Sequence, residues 1–184
     1  METLNYQGDF QRSIVEIFDN KMKNVLSTLM PFGTKDSERQ EILESVRSFL
    51  TTLSYRYNRE NTFGYDERAH KMLLPNSLEQ DPMSTQFDVE HAVVQLALSS
   101  LCRSKDEEIS YYMELFIDNL ATTCVGNTEL EQPGQENRYA PLNQLGVPGV
   151  DLLTNIFFTG NPELIREFKN GIATTPEIQE SFQR

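Results

Sequence analysis

The chain has 184 residues, 38% hydrophobic and 24% charged, with no Trp and a net charge of −12. This length and apolar content suit one folded domain with its own core and exclude a generally disordered chain. The acidic surplus repels phosphate and excludes a general nucleic-acid binder. It is unevenly spread: residues 1–71 hold 10 Lys+Arg against 11 Asp+Glu, and residues 72–184 hold 6 against 17.

A first helix is expected to start after Asp9 as N-cap and to run to Leu29. Phe10, Ile14, Ile17, Phe18, Met22, Val25 and Leu29 recur at three and four residues and so share one face. Pro31 and Gly33 of "MPFG" stop it. Ser37-Glu38-Arg39-Gln40 reads as a capping box for a second helix that buries Ile42, Val46, Phe49, Leu50 and Leu53. Continued in phase, this helix carries Tyr57 into the core and leaves Tyr55, Arg56 and Arg59 together on an exposed face. Phe63-Gly64-Tyr65 reads as a turn, and a short helix is expected from Asp66 to just before Pro75.

After a polar connection holding Pro75 and Pro82, helix four is expected from about Thr85 to Leu101. Ser104-Lys105-Asp106-Glu107 caps a fifth helix, whose first turn carries Asp106, Glu107 and Glu108 against the positive end of the dipole. Both helices have apolar residues on more than one face, and the short link between them makes an antiparallel hairpin at the centre of the fold. Residues 126–149, rich in Gly and Pro, read as a long loop with a turn of helix at "APLNQL". Three short helical pieces follow. One covers Val150 to Phe158 and stops at Gly160; one has Asn161 as N-cap, Pro162 first and Gly171 past its end; one starts at Thr175 and Pro176. No stretch alternates with period two for long enough to make a strand. The expected fold is all-α: a single helical domain, 1–184, forming an irregular bundle of about five main helices. Its bundle core is 9–125, its loop 126–149, and its short C-terminal helices 150–184.

Cys102 and Cys124 are the only cysteines and read as reduced thiols in a cytosol-like compartment. The start has no basic region followed by an apolar run, and nothing approaches a membrane span, so a cytoplasmic protein without membrane contact is expected. Two carboxylate–histidine spacings, Glu67 to His70 and Asp88 to His91, would each face one way on a helix. With Glu16 and Glu114 they could hold a dinuclear metal centre between helices. The two histidines are only 21 residues apart with Pro75 and Pro82 between them, which leaves no room for the separating helix, so no metal is expected. Phosphate-binding glycine loops, a nucleophile elbow and clustered Cys/His ligands are all missing from the sequence, and no cofactor is expected.

Within this acidic chain the stretch "YRYNRENTFGYDERAHK", residues 55–71, gathers four aromatics and four basic side chains at a net charge of only +1. Aromatic platforms with little positive field suit a protein contact better than a nucleic-acid groove. Tyr55, Arg56, Arg59, Phe63 and Tyr65 are the candidate partner-binding residues. The expected function is a non-enzymatic protein–protein interaction or self-assembly protein of the structural class to which viral and phage subunits belong, its partner another protein or a second copy. The alternatives are a metal-dependent helical-bundle enzyme using His70 and His91, and a single-stranded RNA binder acting through residues 55–71.

Overall fold

The computed structural model describes residues 6–60, 62–76, 86–126 and 138–173. The Phe10 side chain, the connection at 77–85, residues 127–137 of the expected loop and the last expected helix at Thr175 and Pro176 lie outside the described residues.

Ile14, Phe18, Met22, Leu26 and Met30 are spaced by four and all lie in the core. A straight α-helix overshoots by about 40° at every such step, so a strict four-residue repeat winds off its own face. The chain corrects this in the middle: α1 (Tyr6–Ile17) passes through a π-helical turn (Phe18–Met22) into α2 (Lys23–Leu29). The wider turn takes up part of the drift and keeps the five side chains together. Leu26 and Met30 therefore occupy the core where Val25 and Leu29 were expected, and the latter two are only partly buried. The helix also begins at Tyr6, ahead of Asp9.

Helix α3 (Asp36–Thr52) has Lys35 as its N-cap, two residues before the expected Ser37, with the Lys35 amide donating to the Glu38 carboxylate at 3.3 Å. It buries Leu43, Val46 and Leu50, and Leu53 follows in extended backbone that ends the helix. The chain then departs from the all-α expectation. The helix expected to continue past Leu53 gives way to β1 (Ser54–Asn58), the turn expected at 63–65 to β2 (Gly64–Asp66), and the short helix expected before Pro75 to β3 (Lys71–Pro75), in the order β1-β3-β2. β1 runs parallel to β3 and β2 antiparallel to it. Tyr-Arg-Tyr and Met-Leu-Leu are rich in strand formers, and strands of three to five residues are too short to show a convincing alternation. The protein is thus mostly helical with a small three-stranded sheet.

Helices α4 (Gln86–Leu101) and α5 (Ser110–Val125) form the expected hairpin. α3 and α1 pack on α4, while α6 packs on α5. The cap of the second arm is shifted: Asp106 is the N-cap, accepting from the Glu108 amide at 3.0 Å, and Ser104 braces the Asp106 amide. A short 3-10 turn (Glu107–Ile109) leads into α5. At its other end, Lys21 of the π turn donates to the Val125 carbonyl at 3.3 Å, a cation on the negative end of the helix dipole.

Helix α6 (Ala140–Thr159) begins inside the segment expected as loop and is bent at Gly146, whose φ of 65° and ψ of 178° are not helical. Pro148 follows in the bend. α7 (Pro162–Ala173) has the expected cap, Asn161 accepting from the Glu163 amide at 2.9 Å, but continues through Gly171. Lys169 anchors it with ion pairs of 2.8 Å to both Asp106 and Glu108. The Lys169 side chain, and beyond it the Glu108 amide, hold the Asp106 carboxyl below its ordinary value.

Gly160 ends α6 at φ 61°, and a Cβ there would lie 2.7 Å from the Arg103 carbonyl oxygen in the α4–α5 link. Gly171 has nothing within 4 Å of that position. Gly160→Ala should therefore lower stability by about 2 kcal/mol or more, whereas Gly171→Ala should be neutral or stabilising by up to about 1 kcal/mol in urea unfolding.

Candidate interaction surface

Strand period two sorts the 55–71 stretch differently from a helix. Tyr55 pairs in register with Met72, and Tyr57 with Leu74. Met72 and Leu74 are buried, so both tyrosines lie on the inner face, packed against the core with ring centroids 5.9 Å apart. The expected split, Tyr57 inside with Tyr55 outside, is thereby corrected. Tyr65 is also inward, opposite Met72. Arg56 takes the outer face and pairs with Asp66 at 3.2 Å. Arg59 is exposed, as is Phe63 at 43%. Of the five candidate residues, Arg56, Arg59 and Phe63 face solvent and the two tyrosines do not.

Glu67 to His70 is a turn, not a helix, so the face-sharing argued for that pair fails. The turn is built by Asp66, which accepts from the Ala69 amide at 3.1 Å, and ends in His70 at φ 49°. His70 fastens the sheet to the end of α3. Its Nε2 lies 3.0 Å from the Phe49 carbonyl and 3.1 Å from the Thr52 hydroxyl. A carbonyl only accepts, so Nε2 carries the proton and Nδ1 accepts from the Tyr65 hydroxyl at 2.7 Å. Phe49 meets the ring edge-on at 4.8 Å. Both nitrogens are committed to protein partners.

His91, on α4, belongs to a separate polar cluster. Its Nε2 is 3.2 Å from the Thr122 hydroxyl and 3.4 Å from Asp118. Asp118 also accepts from the Tyr139 hydroxyl at 2.7 Å and from Arg138 at 2.7 Å, and Arg138 stacks over the Tyr139 ring at 4.9 Å. Burial, and then the Asp118 carboxylate, push the Tyr139 phenol up. The same His91 nitrogen faces both the hydroxyl and the carboxylate. The cluster ties α4, α5 and the start of α6 together. Asp88 is exposed, and so are Glu16 and Glu114, the other carboxylates available for a dinuclear centre. Among the described residues no three His, Cys, Asp or Glu side chains are grouped to hold a metal ion. Cys102 and Cys124 are free and buried, and burial pushes the Cys124 thiol up to about 12, where it stays protonated and unreactive.

The residue that sequence reasoning passed over is Phe32. "MPFG" was read only as a helix stop, yet Phe32 is fully exposed on a turn held unusually firmly. Arg39 donates to the carbonyls of Ser27 at 3.0 Å, Thr34 at 3.1 Å and Pro31 at 3.3 Å. The Thr34 amide and hydroxyl add bonds of 3.1 Å and 2.7 Å to the Pro31 carbonyl. Ahead of Phe63, Asn58 donates to the Thr62 carbonyl at 2.8 Å and accepts from the Glu60 amide at 3.0 Å. The signal was a large apolar residue between Pro and Gly, where no helix or strand pattern needs it.

No family model matches the chain, and neither a curated protein nor a solved structure matches it.

With both tyrosines on the inner face, Tyr55→Ala and Tyr57→Ala should each cost about 2 kcal/mol in thermal or urea unfolding, while Arg59→Ala should stay within roughly 0.5 kcal/mol. A Tyr55→Ala chain as stable as the unmodified one would contradict this placement.

Proposed function

We propose that the protein is a non-enzymatic interaction protein, an irregular helical bundle bearing a small sheet, that assembles with copies of itself through residues displayed on a rigid turn. The observation that carries this reading is the exposure of Phe32 on a turn whose backbone is already fixed by hydrogen bonds, with Phe63 exposed at the start of β2 as a second aromatic. Single exposed apolar residues are common, so exposure alone has little weight. A fixed turn is different, because binding through it sacrifices little conformational freedom and an aromatic anchor then contributes its full burial. Arg56, across β3 from Gly64, supplies part of the polar surround that such contacts have.

The RNA-binding alternative has less support, since the tyrosines of 55–71 pack inward and Arg56 is engaged by Asp66. The metal-enzyme alternative is weakened by the commitment of both His70 nitrogens to protein partners. Among the described residues, no helix is long and apolar enough to cross a membrane. Two free, buried thiols agree with a reducing, cytoplasmic setting.

Sedimentation velocity of the full chain, from micromolar to hundreds of micromolar, should show a reversible rise in mass. Replacing the exposed phenylalanines by Ser should weaken association without lowering the melting temperature. A chain that stays monomeric throughout contradicts self-assembly.

A further inference from the structure

The bend at Gly146 and the crossing of α7 leave an open groove of about 440 Å³. Leu145, Pro148, Leu152, Phe168 and Ile172 give it an apolar lining, and Glu167 is its one charged residue. Leu145, Leu152 and Ile172 are only half-buried and Pro148 is exposed, so among the described residues nothing closes this face. The other exposed sides of α7 are polar: Glu163, Arg166 and Asn170 face solvent, and Lys169 is engaged by Asp106 and Glu108.

α7 ends at Ala173, one residue past Ile172 of the groove wall, and the sequence continues with "TTPEIQESFQR", residues 174–184. In this sequence Thr175 suits an N-cap, Pro176 the first helical position and Glu177 the first turn. At about 100° per residue, Ile178 and Phe182 share one helix face, while Glu177 and Glu180 fall well off it. The stripe therefore offers two large apolar side chains and brings no second carboxylate towards Glu167. Only two threonines separate Ala173 from Pro176, and a link this short turns a helix back along its predecessor. Pro176 to Gln183 takes as many helical steps as the groove wall from Pro148 to Asn155, about 10 Å in each case.

We infer that residues 174–184 fold back as a short helix into this groove, with Ile178 and Phe182 against Leu152, Phe168 and Ile172. The inference goes beyond self-assembly through Phe32 and does not rest on it. The tether decides the occupant. A segment that starts beside the groove meets it at an effective concentration on the order of millimolar, so a modest apolar contact suffices. A free partner at micromolar concentration must bind far more tightly to displace it. So short a helix is marginal on its own in water, and the groove supplies the packing that it lacks. The segment is thus a strap that closes the groove to other apolar ligands.

Gly171 lines the groove, and a Cβ built there meets nothing within 4 Å, so Gly171→Leu obstructs the groove without a clash inside the chain. Phe182→Ser removes the anchor from the other side. Hydrogen exchange of the full chain reads both. In the unmodified chain the amides of 180–183 should exchange about tenfold or more slower than in an unstructured chain. Each variant should return them to the unstructured rate. The α4–α5 amides should remain the last to exchange, which guards against a folding defect. The protection should also be the same from micromolar to hundreds of micromolar protein. Exchange of 180–183 at the unstructured rate in the unmodified chain would overturn the strap. So would protection that survives Gly171→Leu, which places the segment elsewhere, or protection that grows with concentration, which places it on a second copy.

Discussion

The α4–α5 hairpin must be covered on two sides at once, and the placement of nearly every other element answers that demand. Val93, Val94, Ala97 and Leu98 of α4 are excluded from solvent, as are Ala121 and Cys124 of α5. A fully buried Val or Leu among them contributes roughly 1.5–3 kcal/mol by transfer from water, an upper estimate that neglects residual burial in the unfolded chain, and the smaller Ala and Cys side chains contribute less. One helix face cannot hold so many apolar positions. α1 and α3 close over α4, and α6 closes over α5. The connections tighten the arrangement: the Arg103 amide in the hairpin link donates to the Phe157 carbonyl at 2.9 Å, and Gly160 lets the end of α6 sit directly on that link. Lys21 closes the other end of α5. Two further attachments, Gln11 to the Leu53 carbonyl at 2.9 Å and Ser13 to Glu90 at 2.6 Å, hold α1 against its neighbours.

Because the hairpin supplies the core, the outer pieces are free to depart from regular structure. The π turn is one departure, set by a four-residue apolar repeat that no straight helix can follow. The sheet is another. It is small, it has one buried face, and His70 fixes it to α3 through the Phe49 carbonyl. The bend in α6 is a third, and it opens the groove against α7. The turn carrying Phe32 is likewise supported from behind by Arg39, so its aromatic ring is not needed for packing. Rigidity and display come from different residues.

The long helices were legible because several apolar residues at three- and four-residue spacing outweigh any local ambiguity, and the two-sided pattern of α4 and α5 pointed to the centre. Helix ends were less so. At Asp106 the cap lies two residues beyond Ser104, since both residues can cap and the choice falls to the one that also meets Lys169 from α7. The sheet was missed because helix phase was extrapolated past Leu53 into residues whose tyrosines, two apart, also fit a strand. Tertiary pairing with Met72 and Leu74 decided between the two. The cluster of His91, Asp118, Thr122 and Tyr139 joins residues far apart in the chain and left no local motif. Phe32 was visible but unread, since a turn residue without periodic company does not register as structure.

Native-state hydrogen exchange tests the central claim most directly, that the two-sided burial of α4 and α5 holds the fold together. The amides of residues 93–101 and 112–124 should exchange last and only through global unfolding, their protection falling in step with denaturant-measured stability. The sheet amides of 54–58 and 71–75, and those of α7, should open earlier in separate, smaller units. Slower exchange in the sheet or α7 than in the hairpin would contradict the account and place the organising core elsewhere.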